Sequence, residues 1–126
     1  MSSGNLKLTL RKLKALSDTT RLKLLAMLTK KPLCVCELTY ALGLAQPTVS
    51  RHMKQLEDAG FVESKREGTW TIYSIKPEDH FCKKLLELVM EQAKSDNECR
   101  ELISKLKTID RCTISGDGRR KRDKAA

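Results

Sequence analysis

LCVCELTYALGLAQPTVSRHMKQLEDAG, residues 33–60, is the stretch on which the fold turns. Its second half reads as a helix. Pro47 is tolerated in a first helical turn, where its missing N–H would be unpaired in any case. Val49, Met53 and Leu56 then recur at i, i+4 and i+7 as a stripe that can face a core, and Gly60 ends the run. The other side of this helix presents Thr48, Arg51, His52, Lys54 and Gln55, a hydrogen-bonding face. A shorter helix over about 34–42 precedes it, and Gly43 supplies the backbone freedom for the sharp turn between the two.

On the C-terminal side the pattern changes. Phe61-Val62-Glu63-Ser64-Lys65-Arg66, a turn at Glu67-Gly68-Thr69, and Trp70-Thr71-Ile72-Tyr73-Ser74-Ile75 place β-branched and aromatic residues around a glycine. This predicts a two-stranded hairpin that must lean on the helices, because two strands alone are marginal. After Pro77 a long helix fits, with Phe81, Leu85, Leu88, Val89 and Ala93 along one side. Ser95-Asp96-Asn97-Glu98 has the form of a capping box and predicts a further helix burying Leu102, Ile103, Leu106 and Ile109. On the N-terminal side, Leu6, Leu10, Leu13 and Leu16 recur at helical spacing. Ser17-Asp18 can cap a second helix carrying Leu22, Leu25, Ala26 and Met27, which Lys30-Lys31-Pro32 ends. The expectation is a mainly α chain with a small β-hairpin wing: one domain over 1–115 and a disordered basic tail over 116–126, with no apolar residue from Ser115 to Lys124.

Composition agrees with that plan. In 126 residues only 4% are aromatic and 33% charged, and no apolar run approaches the ~18 residues that span a bilayer. Met1-Ser2-Ser3-Gly4-Asn5 lacks the basic-then-apolar pattern of a secretory signal, so the expected location is cytoplasmic, with no membrane partner. Net charge is +9 but unevenly spread: eight Lys or Arg stand against Asp18 alone up to residue 31, five against two over 116–126, and the middle is near neutral. An anionic partner follows, without being localised to residues 33–60. No Gly-rich phosphate loop and no nucleophile with an evident base appears, so no enzyme is expected.

Helix, glycine turn, polar-faced helix and a hairpin with a basic edge is the plan of a winged helix-turn-helix, whose second helix enters the DNA major groove. Gln46 and Arg51 suit bidentate pairing with adenine and guanine. Thr48, Ser50, Lys54, Lys65, Arg66 and Thr69 are better suited to phosphates, and His52 to a DNA or backbone contact.

The residues also carry a specific resemblance. Leu16-Ser17-Asp18-Thr19-Thr20-Arg21-Leu22, Cys34-Val35-Cys36-Glu37-Leu38, Gln46-Pro47-Thr48-Val49-Ser50-Arg51-His52-Met53 and Arg66-Glu67-Gly68 resemble the ArsR/SmtB family of metal- and metalloid-sensing repressors, over roughly residues 6–92. The resemblance implies a homodimer built on the first and last helices, binding to a palindromic operator, and release when an inducer binds. It implies no cofactor for DNA binding itself. The Cys-Val-Cys-Glu-Leu segment is similar to the branch that senses trivalent arsenic and antimony, with Cys34 and Cys36 as thiolate ligands. On a regular helix, side chains two apart point ~200° away from each other, so joint ligation would distort the first turn. Where the three-cysteine motif has its last thiol this chain has Thr39. Two thiolates could suffice, or a third could come from Cys82, Cys99 or Cys112, of this or the other protomer. Cys82 reads as a buried free thiol, Cys99 and Cys112 could be exposed, and His80 beside Glu78 and Asp79 is a further candidate cluster. Two alternatives stand beside arsenite sensing: a thiol-redox or other soft-metal signal on the same fold, and a non-specific nucleic-acid-binding protein driven by its basic ends.

Overall fold

The computed structural model describes residues 5–109. Asn5 caps the first helix by accepting from the Lys7 and Leu8 N–H groups, and α1 runs Leu6–Leu16. Ala15 and Leu16 are buried, whereas Leu6, Leu10 and Leu13 stand exposed. Asp18, not Ser17, caps α2 (Thr19–Leu28), and all residues from Leu24 to Leu28 are buried. A helix apolar on most sides belongs inside a core, and α2 packs against α4, α5 and α6 alike.

Beyond α2 come β1 (Leu33–Cys34), α3 (Val35–Leu42) and α4 (Gln46–Asp58). Gly43 closes α3 in the left-handed region at φ 70°, as the sharp turn requires. Val49, Met53 and Leu56 of α4 are fully buried, as is Phe61 just after it; each contributes about 1.5–3 kcal/mol of transfer free energy. Strands β2 (Val62–Glu67) and β3 (Trp70–Ile75) form the wing, with Glu67 opposite Trp70.

The sheet has three strands rather than two, in the order β1-β3-β2 and antiparallel throughout. Leu33 pairs with Tyr73 and Cys34 with Ile72. The extra pairing supplies backbone partners to the inner edge of β3, which a lone hairpin would leave open.

Asp79 caps α5 (His80–Ala93), whose buried residues are Cys82 and Leu86. Of the apolar side expected from Phe81 to Ala93, Leu85 and Val89 pack half-buried against this protomer's core, whereas Phe81 (41% exposed) and Leu88 (63%) face outward. Helix α6 (Asn97–Lys105) begins one residue later than the expected capping box. Asp96 accepts from the Cys99 N–H, while the Ser95 hydroxyl donates back to the Gln92 carbonyl. The ionised carboxylate is the stronger acceptor at a positive helix end. A 3-10 turn at Leu106–Thr108 follows, and Leu106 and Ile109 are buried while Leu102 and Ile103 are half-buried. The domain boundary near 115, the tail 116–126 and Cys112 lie outside the described residues. No described helix is long and apolar enough to cross a membrane.

Candidate nucleic-acid and thiol site

Cys34 is not the first residue of the third helix. It is the N-cap, extended at φ −83° and ψ 162°, while its backbone still belongs to β1. Its Sγ accepts from the Glu37 N–H at 3.3 Å, and its own N–H donates to Glu37 Oε1 at 2.8 Å, a capping box with sulfur in place of oxygen. This corrects the expectation that Cys34 and Cys36 diverge by ~200°. That angle holds within a helix, and a strand-to-helix junction turns the first side chain back toward the third. The two cysteines, with Cα atoms 5.3 Å apart, are joined as a disulfide.

A cavity of about 190 Å³ opens at this junction. Cys34 and Cys36 form one wall, Gln46 and Ser50 of α4 a second, and Arg66 and Trp70 of the wing a third. Thr69 lies on the same rim, and Arg66 is steadied by donating to the Thr71 hydroxyl at 3.3 Å. Four of the nine residues expected to meet DNA thus border the thiols. Arg51, Lys54 and Lys65 are exposed and Thr48 half-exposed away from this cavity, and Lys54 lies 3.4 Å from Asp58.

His52 is turned toward the protein. Its Nδ1 lies 3.0 Å from Arg21 Nη1 and 3.9 Å from Asp18. The same guanidinium donates to Gln55 Oε1 at 2.7 Å and, through Nε and Nη2, to the carbonyls of Ala15 at 2.7 Å and Lys14 at 3.2 Å. Arg21 therefore ties the α1–α2 corner to α4. The Asp18 carboxyl, despite burial that opposes ionisation, is held below its ordinary value by the Arg21 N–H, the Arg21 charge and His52.

A second polar cluster lies below α4. Lys12, buried although on a basic helix, pairs with Glu78 and donates to the Ala59 carbonyl at 3.2 Å, with Asp79 at 3.9 Å. Burial pulls its pKa down, but hydrogen bonds with Glu78 and Cys82 outweigh that and raise it. Glu78, Asp79 and Cys82 have the spacing of a metal cluster; the Lys12 ammonium already lies within ion-pairing distance of both carboxylates. His80 is not part of this group.

Cys82 is fully buried, as expected, and Cys99 is buried too, against expectation, at 5% exposure. Burial pushes both thiols up, and neither borders the cavity at Cys34 and Cys36. Thr39 is buried, with a hydroxyl that finds no hydrogen-bond partner. Sequence reasoning missed Lys12 and Arg21, which it counted as part of a basic surface. The signal was their spacing: Lys12 stands three and four residues before Ala15 and Leu16, and Arg21 three and four before Leu24 and Leu25.

The fold and this site define a winged helix-turn-helix protein. Residues 18–64 match the family described as bacterial regulatory protein, arsR family. The chain is 46% identical over 66 residues to the arsenic resistance transcriptional regulator ArsR1 of Pseudomonas putida, a match covering 52% of each chain, so it spans about half the length of that relative. It is 40% identical over 79 residues to an uncharacterised helix-turn-helix regulator of Methanocaldococcus jannaschii, covering 62% of this chain and 86% of that one. Among solved structures, a homodimeric winged helix-turn-helix DNA-binding domain of Mycobacterium bovis, described as a possible ArsR-family regulator, superimposes with TM-score 0.61 at 30% identity, covering 73% of this chain and 83% of that one. The chain belongs to the ArsR family of bacterial regulatory proteins.

Proposed function

We propose that this chain is a homodimeric repressor of a metalloid-resistance operon that leaves its operator when arsenite or antimonite binds Cys34 and Cys36. The observation that carries the reading is the shared cavity, where the two sulfurs face Gln46 and Ser50 of the reading helix and Arg66 of the wing. A soft trivalent ion held by two thiolates there competes for space with side chains that contact DNA. It also acts on a residue, Cys34, whose backbone is hydrogen-bonded to β3 of the wing. The exposed leucines of α1 and the outward Phe81 and Leu88 of α5 supply the dimer face. The arsenic-resistance relative supports the choice of inducer.

A gel-shift titration tests it, using a duplex enriched by the wild-type protein from a random-sequence pool. Arsenite releases the wild type, and the Cys34→Ser, Cys36→Ser protein stays bound. Equal release of both proteins refutes the reading.

The disulfide favours a second reading, a thiol-redox signal at the same pair. Two thiols lose two electrons and two protons to a peroxide, which leaves as two waters. Release of the duplex by peroxide but not by arsenite, with loss of two hydrogens in the mass spectrum, selects it.

A further inference from the structure

We propose that Lys7, Arg11 and Lys14 form a phosphate-gripping stripe on α1 that holds the DNA backbone beside the reading helix; the inference rests on the operator-binding reading above. The need for such a stripe comes from charge. Residues 33–60 carry Arg51 and Lys54 against Glu37, Glu57 and Asp58, and the wing sets Lys65 and Arg66 against Glu63 and Glu67. An element with no net positive charge gains little from releasing the counterions condensed on a duplex, which is the source of most non-specific affinity.

The supply lies next to it. Helix α1 has four cations and no Asp or Glu. Lys12 is spent internally on Glu78. The other three sit at i, i+4 and i+7, one face of a helix, and all are exposed. None has a carboxylate within ion-pairing distance among the described residues. Together with Gln55 and Asp58 of α4 they border an open groove of about 710 Å³, and the one acid in it, Asp58, is already faced by Lys54. The groove is therefore continuous, through Gln55, with the exposed side of the reading helix. From Lys7 to Lys14 the helix rises about 10 Å, the axial length of three phosphate steps on one strand. The stripe is centred about 100° round α1 from the exposed Leu6, Leu10 and Leu13, and of these leucines only Leu10 borders the groove, so a second protomer on that face meets the groove at one edge and leaves the three cations exposed.

Phosphate contacts carry no sequence information, which fixes the readout. Fluorescence anisotropy is run on the enriched duplex and on a scrambled duplex between about 50 and 200 mM salt, with wild type, with Lys7→Gln, Arg11→Gln, Lys14→Gln, and with a charge-matched control on α5 and its C-cap, Lys83→Gln, Lys84→Gln, Lys94→Gln. The α1 variant is expected to flatten the plot of log affinity against log salt by about 5 for six contacts per dimer, and by no less than about 2. Its ratio of enriched to scrambled affinity stays at the wild-type value, and the α5 control keeps the wild-type slope. The paired variant Lys7→Gln, Arg11→Gln repeats the test with circular dichroism and sedimentation as checks on fold and dimer. An α1 slope equal to wild type, or an equal change in the α5 control, overturns the stripe while leaving the operator reading intact. Failure of the wild type to prefer the enriched duplex overturns the operator reading, and the stripe with it.

Discussion

Replacing Arg21 with methionine isolates the joint between the helical scaffold and the reading helix. The methionine fills a similar volume but returns none of the hydrogen bonds that the guanidinium makes to Ala15, Lys14, Gln55 and His52. Gln55 is exposed and His52 half-exposed, so water replaces the lost donor there at little cost. The two carbonyls differ. The Lys14 carbonyl still accepts from the Ser17 N–H at 3.1 Å, whereas the Ala15 carbonyl lies in the last turn of α1, where intrahelical donors run out, and its buried bond is made by a charged group. An abandoned buried acceptor costs about 1–3 kcal/mol, so Arg21→Met is expected to destabilise folding by about 1–3 kcal/mol, and Gln55→Ala by less than 1. Urea unfolding followed by far-ultraviolet circular dichroism measures both, and the double variant gives the coupling between them. Arg21→Lys falls in between, because one ammonium cannot serve the carbonyls of α1 and the side chains of α4 at once. A loss below 1 kcal/mol for Arg21→Met, or one matched by Gln55→Ala, refutes the assignment of Arg21 as the joint.

Other perturbations follow from the same contacts. Gly60 is at φ 92° and a Cβ there overlaps the Glu78 carboxylate that pairs with Lys12, whereas Gly68 at φ 62° faces open space. Gly60→Ala should therefore cost about 2–3 kcal/mol and Gly68→Ala about 1, by thermal unfolding. Thr39→Val removes a buried hydroxyl that has no partner and should be neutral or stabilising by up to about 1 kcal/mol in urea. Asp18 and Asp79 titrate below the ordinary value of 3.8, the former through Arg21 and the latter through the Cys82 N–H. Their contribution is present above that value and lost as pH falls through the folded-state values. Lys12 titrates above 10.5, so its contribution is complete below that pH and disappears as pH rises through the raised value. Melting temperature against pH should fall at both ends, and Lys12→Met should reduce the alkaline fall, which Lys23 and the buried Tyr73, Cys82 and Cys99 also feed, more than it changes the acid one. Burial keeps Cys82 and Cys99 as thiols, so in the reduced, native protein at neutral pH iodoacetamide should label them far more slowly than after unfolding in urea, read by peptide mass spectrometry.

The parts of the fold legible in the sequence are those where a period repeats. Val49, Met53 and Leu56 give three matches to one helical face, and the wing has a glycine turn between two runs of strand-forming residues. The third strand escaped because two residues, Leu33 and Cys34, cannot display an alternation. Its loss carried a consequence: with Cys34 assigned to the helix, the two thiols were set on opposite sides, and the cavity joining them to Gln46, Ser50 and Arg66 could not be foreseen. Charge misled in a second way. Lys12 and Arg21 look like surface in a composition count, although both hold helices together from inside. His52 has the right residue type on the right helix for DNA, and only the partner contributed by α2 shows where its ring is turned.

The strand-to-helix junction also gives the proposed mechanism an energy scale. With the Cys34–Cys36 disulfide reduced to two thiols, two fixtures still hold Cys34: its backbone pairing with Ile72 in the wing, and the capping box with Glu37. An ion that takes the Cys34 sulfur competes with the Glu37 N–H for it and pulls against β3, while its bond to Cys36 pulls on α3, which packs directly on α4. Loss of an N-cap costs about 0.5–2 kcal/mol, and one displaced ladder hydrogen bond about 1 more. Allosteric coupling of 1–3 kcal/mol changes affinity by 5–150-fold. The junction alone can therefore account for a coupling of that size. Holding Cys34 by its cap and its strand at once makes the wing and the reading helix respond to a single bond, which two cysteines inside a regular helix could not do.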